Sequence, residues 1–319
     1  GDGPMSAMTD PGSRIEEASH SRIDVAGDSR IGPASYPGVV DFGPLLERLP
    51  AIGLEDLASQ AALLKRTDRK YLLNRALTAE LVEYLCSIQA EVLSIGGARE
   101  FGYLSDYFDT PDFALYRAAA TKRRRRFKVR SRVYLDAGLR FVELKTRSGR
   151  GQNVKDRLRL DDVPMDVCER LKRGLPVEAF DLTPDVTGCP RIREWLAARL
   201  TERGVVQTRR AGARAVGELA WVIRSVYTRT TFRLPGDSRL TMDRGLTLST
   251  PSGWSPLRVP EVVVETKSSK HPCEADRWLW RRGVRPVRLS KYAVGMAAIN
   301  PGLPANRWSK TIATLGGIA

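Results

Sequence analysis

Residues 122–146, KRRRRFKVRSRVYLDAGLRFVELKT, decide how this chain is read. Over residues 127–133 the side chains alternate: Phe127, Val129, Ser131 and Val133 point one way, Lys128, Arg130 and Arg132 the other. Asp136-Ala137-Gly138 supplies a turn. Residues 141–145 return with Val142 and Leu144 on one face and Glu143 and Lys145 on the other. The pattern predicts a β-hairpin whose polar face is a row of cations beside a Glu-x-Lys pair.

A charge run such as residues 123–126 is ordinarily a solvated face. For Lys128, Arg130 and Arg132, repetition argues otherwise. Lys70 sits between apolar neighbours; Lys155, Arg157 and Arg159 share a face of residues 153–160; Arg229 and Arg233 share one, as do Arg239 and Asp243. Glu265 and Lys267 oppose Val262 and Val264. Many strands with one apolar and one cationic face predict an α+β fold: a closed antiparallel β-barrel, flanked by helices, whose lumen is a cationic tunnel. Glu143, Asp243 and Glu265 are too few to neutralise it, so a polyanionic ligand bridged by a divalent metal is expected.

The bulk composition agrees. The 319 residues carry a net charge of +15, which points to an anionic partner, and 42% hydrophobic residues suffice for a real core. Four scattered cysteines without a Cys-x-x-Cys pair argue against a zinc site or disulfide framework and suit a reducing compartment. With only His20 and His271, histidine catalysis is a poor expectation. No apolar run reaches membrane-span length and no signal-peptide core opens the chain, so a soluble, cytoplasmic protein is expected.

Along the chain, residues 1–40 read as disordered, 41–300 as one tunnel-barrel domain with a helical insertion at 161–203, and the tail from 301 as loosely ordered. A helix is expected over 78–93 with Thr78 as N-cap, and a last helix over 290–299 capped by Ser290. Trp278, Trp280, Tyr107, Phe108 and Phe113 read as packing residues.

Nucleotide-binding glycine loops, a GxSxG elbow and HExxH are all missing. What remains is strand-borne Lys and Arg. Arg offers a fork that matches phosphate oxygens and Lys a point charge. Phosphoryl transfer needs in-line positioning, charge neutralisation and metal more than a covalent nucleophile, so such a tunnel suits it.

The order of the pieces also resembles a family. Arg69-Lys70-Tyr71, Tyr107-Phe108-Asp109-Thr110-Pro111, Arg130-x-Arg132-x-Tyr134, Glu143-x-Lys145-Thr146, Val154-Lys155, Tyr227-x-Arg229-Thr230-x-Phe232, Pro235-Gly236-Asp237, Glu265-x-Lys267 and Ser290-Lys291-Tyr292 stand in the order of the VTC domain. That is the catalytic domain of the vacuolar transporter chaperone polyphosphate polymerase and its bacterial relatives, among the triphosphate tunnel metalloenzymes and close to the CYTH proteins. The resemblance covers about residues 60–300. It implies transfer of the ATP γ-phosphate to polyphosphate with a divalent metal, manganese or magnesium. Carried over, it implies catalytic phosphate contacts from Lys70, Arg130, Arg132, Lys145 and Arg229, and further contacts from Lys155, Arg288, Ser290 and Lys291. Lys128, Arg239 and Lys267 join them by strand face, and Arg117 by following Tyr116. Glu265 is the implied metal ligand and Glu143 a second candidate.

The chain departs from the family at Arg117, which directly follows Tyr116, and at Thr241, where better-known members are basic. It also lacks the Glu-x-Glu-x-Lys of CYTH triphosphatases, echoed only by Asp68 and Lys70, which favours a polymerase over a triphosphatase. ATP and polyphosphate are the expected partners, with room for an integral-membrane partner protein. The rival readings are a triphosphate or tripolyphosphate hydrolase, a non-catalytic polyphosphate-binding module, and, least favoured, a nucleic-acid binder using residues 122–126.

Overall fold

A computed structural model describes residues 41–59, 67–151, 153–175, 182–236, 238–251 and 257–315. The expectation for residues 1–40 lies outside them, as do Arg66, Gln152 and Asp237. Among the described residues no helix is long and apolar enough to cross a membrane.

The core of the fold is one antiparallel sheet. In chain order its main strands are β1 (Thr67–Leu73), β2 (Phe101–Asp109), β3 (Arg126–Tyr134), β4 (Leu139–Arg147), β5 (Asn153–Arg159), β6 (Ala220–Leu234), β7 (Ser238–Ser249) and β8 (Val262–Ser268). They lie side by side as β1-β8-β7-β6-β2-β3-β4-β5. The hairpin read from residues 122–146 is β3–β4, with Arg130 opposite Glu143 and Lys128 opposite Lys145. Its turn needs a glycine: Gly138 has φ +65°, and a Cβ there would meet the Val163 carbonyl at 2.5 Å.

Period-two alternation sorts the two faces as expected. The convex face carries Tyr71, Leu73, Phe232, Leu240, Met242 and Val264, covered by α1 (Arg75–Ser87) and α4 (Glu274–Arg281) through Leu81, Leu85, Trp278 and Leu279. Farther along, Val129, Val142 and Leu144 are covered by α2 (Pro190–Glu202) and α3 (Arg209–Val216). Trp278 stacks on Tyr84 with ring centroids 5.4 Å apart, so its packing role holds. The concave face carries the cations together with an aromatic floor of Tyr103, Tyr107, Tyr134, Phe141 and Tyr227. One helix, α5 (Lys291–Ile299), enters this side, stacking Tyr292 on Tyr107 at 5.4 Å.

The expected closed barrel is corrected: among the described residues β1 and β5 do not pair, and the sheet stays open. The reason is local. The free edge of β1 is taken by the segment before α5, where Val287 N–H donates to the Lys70 carbonyl at 2.7 Å. The same segment also meets Lys70 through the Leu289 carbonyl and Lys128 of β3 through the Ser290 hydroxyl, so the sheet curls around it into a trough.

Two further expectations change. The helix expected over residues 78–93 is Arg75–Ser87, capped by Asn74, whose side chain accepts from Leu77 N–H at 2.9 Å; residues 91–93 form a short strand. Thr78 lies inside, its hydroxyl bonded back to the Asn74 carbonyl at 2.7 Å. Residues 301–315 of the tail are ordered as well. A 3-10 turn at Asn306–Trp308 leads into α6 (Ser309–Thr314), and Trp308, 4% exposed, packs 5.4 Å from the Tyr116 ring.

Candidate functional site

Cross-strand register gathers the concave charges into clusters, each centred on one carboxylate. Glu143 on β4 is met by Arg130 from β3 and, on its other oxygen, by Lys155 at 3.0 Å and Arg157 at 2.7 Å from β5. Burial alone would raise its pKa; Arg130, Lys155 and Arg132 override this and hold it well below the carboxylate range. Asp243 on β7 is gripped by both guanidinium arms of Arg229 at 2.7 and 2.9 Å, and by the Lys291 ammonium at the start of α5. Against the same burial penalty Arg229 and Lys291 bring Asp243 down to about 2. Lys291 also lies 4.3 Å from the Tyr227 ring centroid.

Glu265 on β8 is held more loosely, by Lys267 at 3.1 Å and Lys70 at 3.8 Å. Its side chain is 17% exposed, against 2% for Glu143 and 3% for Asp243. Burial opposes its ionisation, yet Lys70 and Lys267 keep it far below the usual carboxylate range.

The lysines between these clusters differ in kind. Lys128 and Lys145 are direct cross-strand neighbours, and Lys70 faces them from the far edge of the curled sheet. Burial, followed by Lys145, Lys70, Arg126 and Arg307, pushes Lys128 down to about 7. The charged groups that weigh most on it are all cations. Burial and Lys70 also lower Lys145, with Asp68 in partial opposition. The seam supplies their neutral partners: Lys128 donates to the Ser290 hydroxyl at 3.2 Å and Lys70 to the Leu289 carbonyl at 3.2 Å. Ser290 is the N-cap of α5, as expected, accepting from Ala293 N–H at 3.4 Å. A trio of lysines and a helix N-terminus thus converge on one part of the trough, an arrangement suited to an anion.

Most of the sequence-derived site residues share this face. Lys70, Lys128, Arg130, Arg132, Lys145, Lys155, Arg229, Lys267, Ser290 and Lys291 line it by register or by direct contact. Arg132, 3% exposed, donates to Ser105 at 3.3 Å and to the Tyr227 hydroxyl at 3.2 Å, over the Tyr103 ring. Arg239 shares the strand face but gives its guanidinium to the Leu57 carbonyl at 2.8 Å, at one end of the trough. Arg117 is not brought in: it is exposed, and its Nε is committed to the Asp112 carbonyl at 2.9 Å. Arg288 is exposed beside the seam. Sequence reasoning missed Arg307, which the ordered tail delivers to the neighbourhood of Lys128 and Arg126. Trp308, an apolar anchor one residue on, was the available signal.

Among the described residues no three His, Cys, Asp or Glu side chains converge to hold a metal. The three concave carboxylates therefore have to be compared singly. Glu143 is enclosed by three cations and Asp243 by two, whereas Glu265 has longer contacts and an exposed edge. Of the three, Glu265 has the freedom to meet a cation and Glu143 does not.

No curated protein matches the chain. Among solved structures it is similar to a putative adenylyl cyclase, HpAC1 from Hippeastrum, described as having a dominant triphosphatase activity. The identity is 15%, the TM-score 0.42, and the match covers 73% of this chain and 96% of that one. It is also similar to the PH1819 protein of Pyrococcus horikoshii OT3, at 13% identity and TM-score 0.37, covering 74% of this chain and 98% of the other. The VTC domain family matches residues 65–300, which take in every strand of the trough from Thr67 to Ser268 and the helix that enters it, and the chain belongs to that family.

Proposed function

We propose that the trough binds the phosphate chains of ATP and linear polyphosphate and transfers the γ-phosphoryl group of ATP to the polyphosphate end. The observation that carries this is the Lys70–Lys128–Lys145 trio, in which half-buried Lys128 stands directly opposite Lys145 and donates to the neutral Ser290 hydroxyl, making no ion pair among the described residues. Such a trio is self-repelling until an anion of several charges enters.

In the transfer, a terminal phosphate oxygen of the chain attacks the γ-phosphorus as the bond from it to the β–γ bridging oxygen breaks, and ADP leaves. The lysines neutralise charge on the transferring group and on the leaving oxygen. Arg130 and Arg229, locked by Glu143 and Asp243, are oriented before substrate arrives, which reduces the ordering cost at the reacting centre. A divalent metal, manganese or magnesium, held by Glu265 and phosphate oxygens, would add further charge neutralisation.

The test is incubation of the protein with γ-labelled ATP and manganese, resolving products on a gel beside a Glu265→Ala variant. A ladder of long anionic chains, lost in the variant, is the expected result. Free phosphate without a ladder would make the protein a hydrolase. Polyphosphate binding without any turnover would leave a binding module.

A further inference from the structure

Outward from Lys128 and Lys145 the concave row does not stop. One strand period further, Arg126 on β3 stands directly opposite Arg147 on β4, on the same face as the two lysines. Arg307 reaches this place from the ordered tail, outside the 65–300 family match, fixed by a bond from its guanidinium to the Ala119 carbonyl at 2.7 Å. Arg288 flanks it on the seam, its carbonyl tied to the Thr311 hydroxyl of the tail helix at 2.8 Å. Burial and then Arg147 and Arg307 lower Arg126; burial and then Arg288 and Arg147 lower Arg307. Inside the trough each arginine cluster has its own carboxylate; here, among the described residues, none of the four makes an ion pair. Surface arginines are usually interspersed with acids, and grouped arginines without them favour a ligand of repeated negative charge.

We propose that Arg126, Arg147, Arg288 and Arg307 form an outer site for the distal phosphates of a linear polyphosphate, so that this protein discriminates a long chain from a triphosphate. The proposal rests on the reading of the trough as a polyphosphate site. Arg126 and Arg147 continue the lysine row, and Arg307 and Arg288 form its opposite side. A triphosphate held at the lysines has no phosphates to offer them.

Calorimetric titration with tripolyphosphate and with long-chain polyphosphate, on the full chain, separates the two sites. Arg147→Gln is the first variant and Arg307→Ala the second. Arg307→Lys and a thermal melt serve as controls, because Arg307 also holds the Ala119 carbonyl. Each neutral variant should weaken long-chain binding about tenfold and leave tripolyphosphate affinity within about twofold, with Arg307→Lys largely restoring it. Equal weakening of both ligands, or no change in either, would overturn the outer site. Single-stranded RNA that competes as strongly as long polyphosphate and is lost in the same variants would reassign the arginines to nucleic acid and overturn it as well. Lys128→Gln reports separately on the trough: if it binds tripolyphosphate normally, the polyphosphate reading fails, whatever the outer variants do.

Discussion

The Lys128 ammonium donates to the Ser290 hydroxyl at 3.2 Å, and that hydroxyl caps the helix Lys291–Ile299. A strand cation and a helix N-terminus, 162 residues apart in sequence, are thereby fixed on one point of the trough. The cap is neutral, so it satisfies a hydrogen bond of Lys128 without neutralising its charge.

This arrangement gives binding a pH signature. Burial and the surrounding Lys145, Lys70, Arg126 and Arg307 hold the Lys128 pKa at about 7, below its ordinary value. A bound polyanion raises it again, so the complex holds more protons than the free protein near neutrality. Titration of tripolyphosphate in buffers of different ionisation enthalpy should show proton uptake, and affinity should fall as pH rises through 7. Lys128→Arg should keep the binding and abolish the uptake.

Asp243 should matter to stability rather than to ligand affinity alone. Asp243→Asn leaves Arg229 and Lys291 buried without their counter-charge, a loss of about 3–5 kcal/mol for a broken buried ion pair. A denaturant midpoint measures it. In the parent protein the Asp243 pKa falls from 3.8 unfolded to about 2 folded. Its contribution is complete above the unfolded value and is lost as pH falls through the folded one. Acid unfolding should therefore be seen between about pH 4 and pH 2.

Gly295 sets how closely the helix approaches the sheet. A Cβ there would lie 2.5 Å from Ile223 Cδ1 and 3.1 Å from Leu248 Cδ1. Those are ends of flexible side chains, so Gly295→Ala should fold but cost about 1–3 kcal/mol as an overpacked contact, read from the thermal midpoint.

The tail should be structural. Trp308→Ala removes a buried ring packed on Tyr116 and should cost about 3–5 kcal/mol in chemical denaturation. It should also weaken long-polyphosphate binding, since Arg307 is its neighbour in the same turn.

The strand faces were legible because a two-residue period needs no knowledge of partners: Lys128, Arg130, Glu143, Lys155 and Glu265 were all sorted correctly. Register was less legible. That Arg229 meets Asp243 depends on cross-strand pairing, and the β6–β7 ladder shifts its register at a bulge between Val226 and Thr228. The open seam was not legible at all, because residues 285–290 carry no periodic pattern and act largely through backbone groups, the Val287 N–H and the Leu289 carbonyl. Asn74 took the cap expected of Thr78 because both are capping residues and only the chain geometry chooses between them. The tail was read as loosely ordered because no apolar period runs through it; a single ring, Trp308 against Tyr116, holds residues 306–314 in place.

The most direct test of the central claim is calorimetric titration of tripolyphosphate into the parent protein and into Lys128→Gln/Lys145→Gln, at fixed pH and salt. The account predicts binding to the parent, loss of about a hundredfold or more in the double variant, and an unchanged or higher melting temperature for the ligand-free variant, since self-repulsion is relieved. Undiminished binding in the double variant would contradict it and place the phosphate site elsewhere.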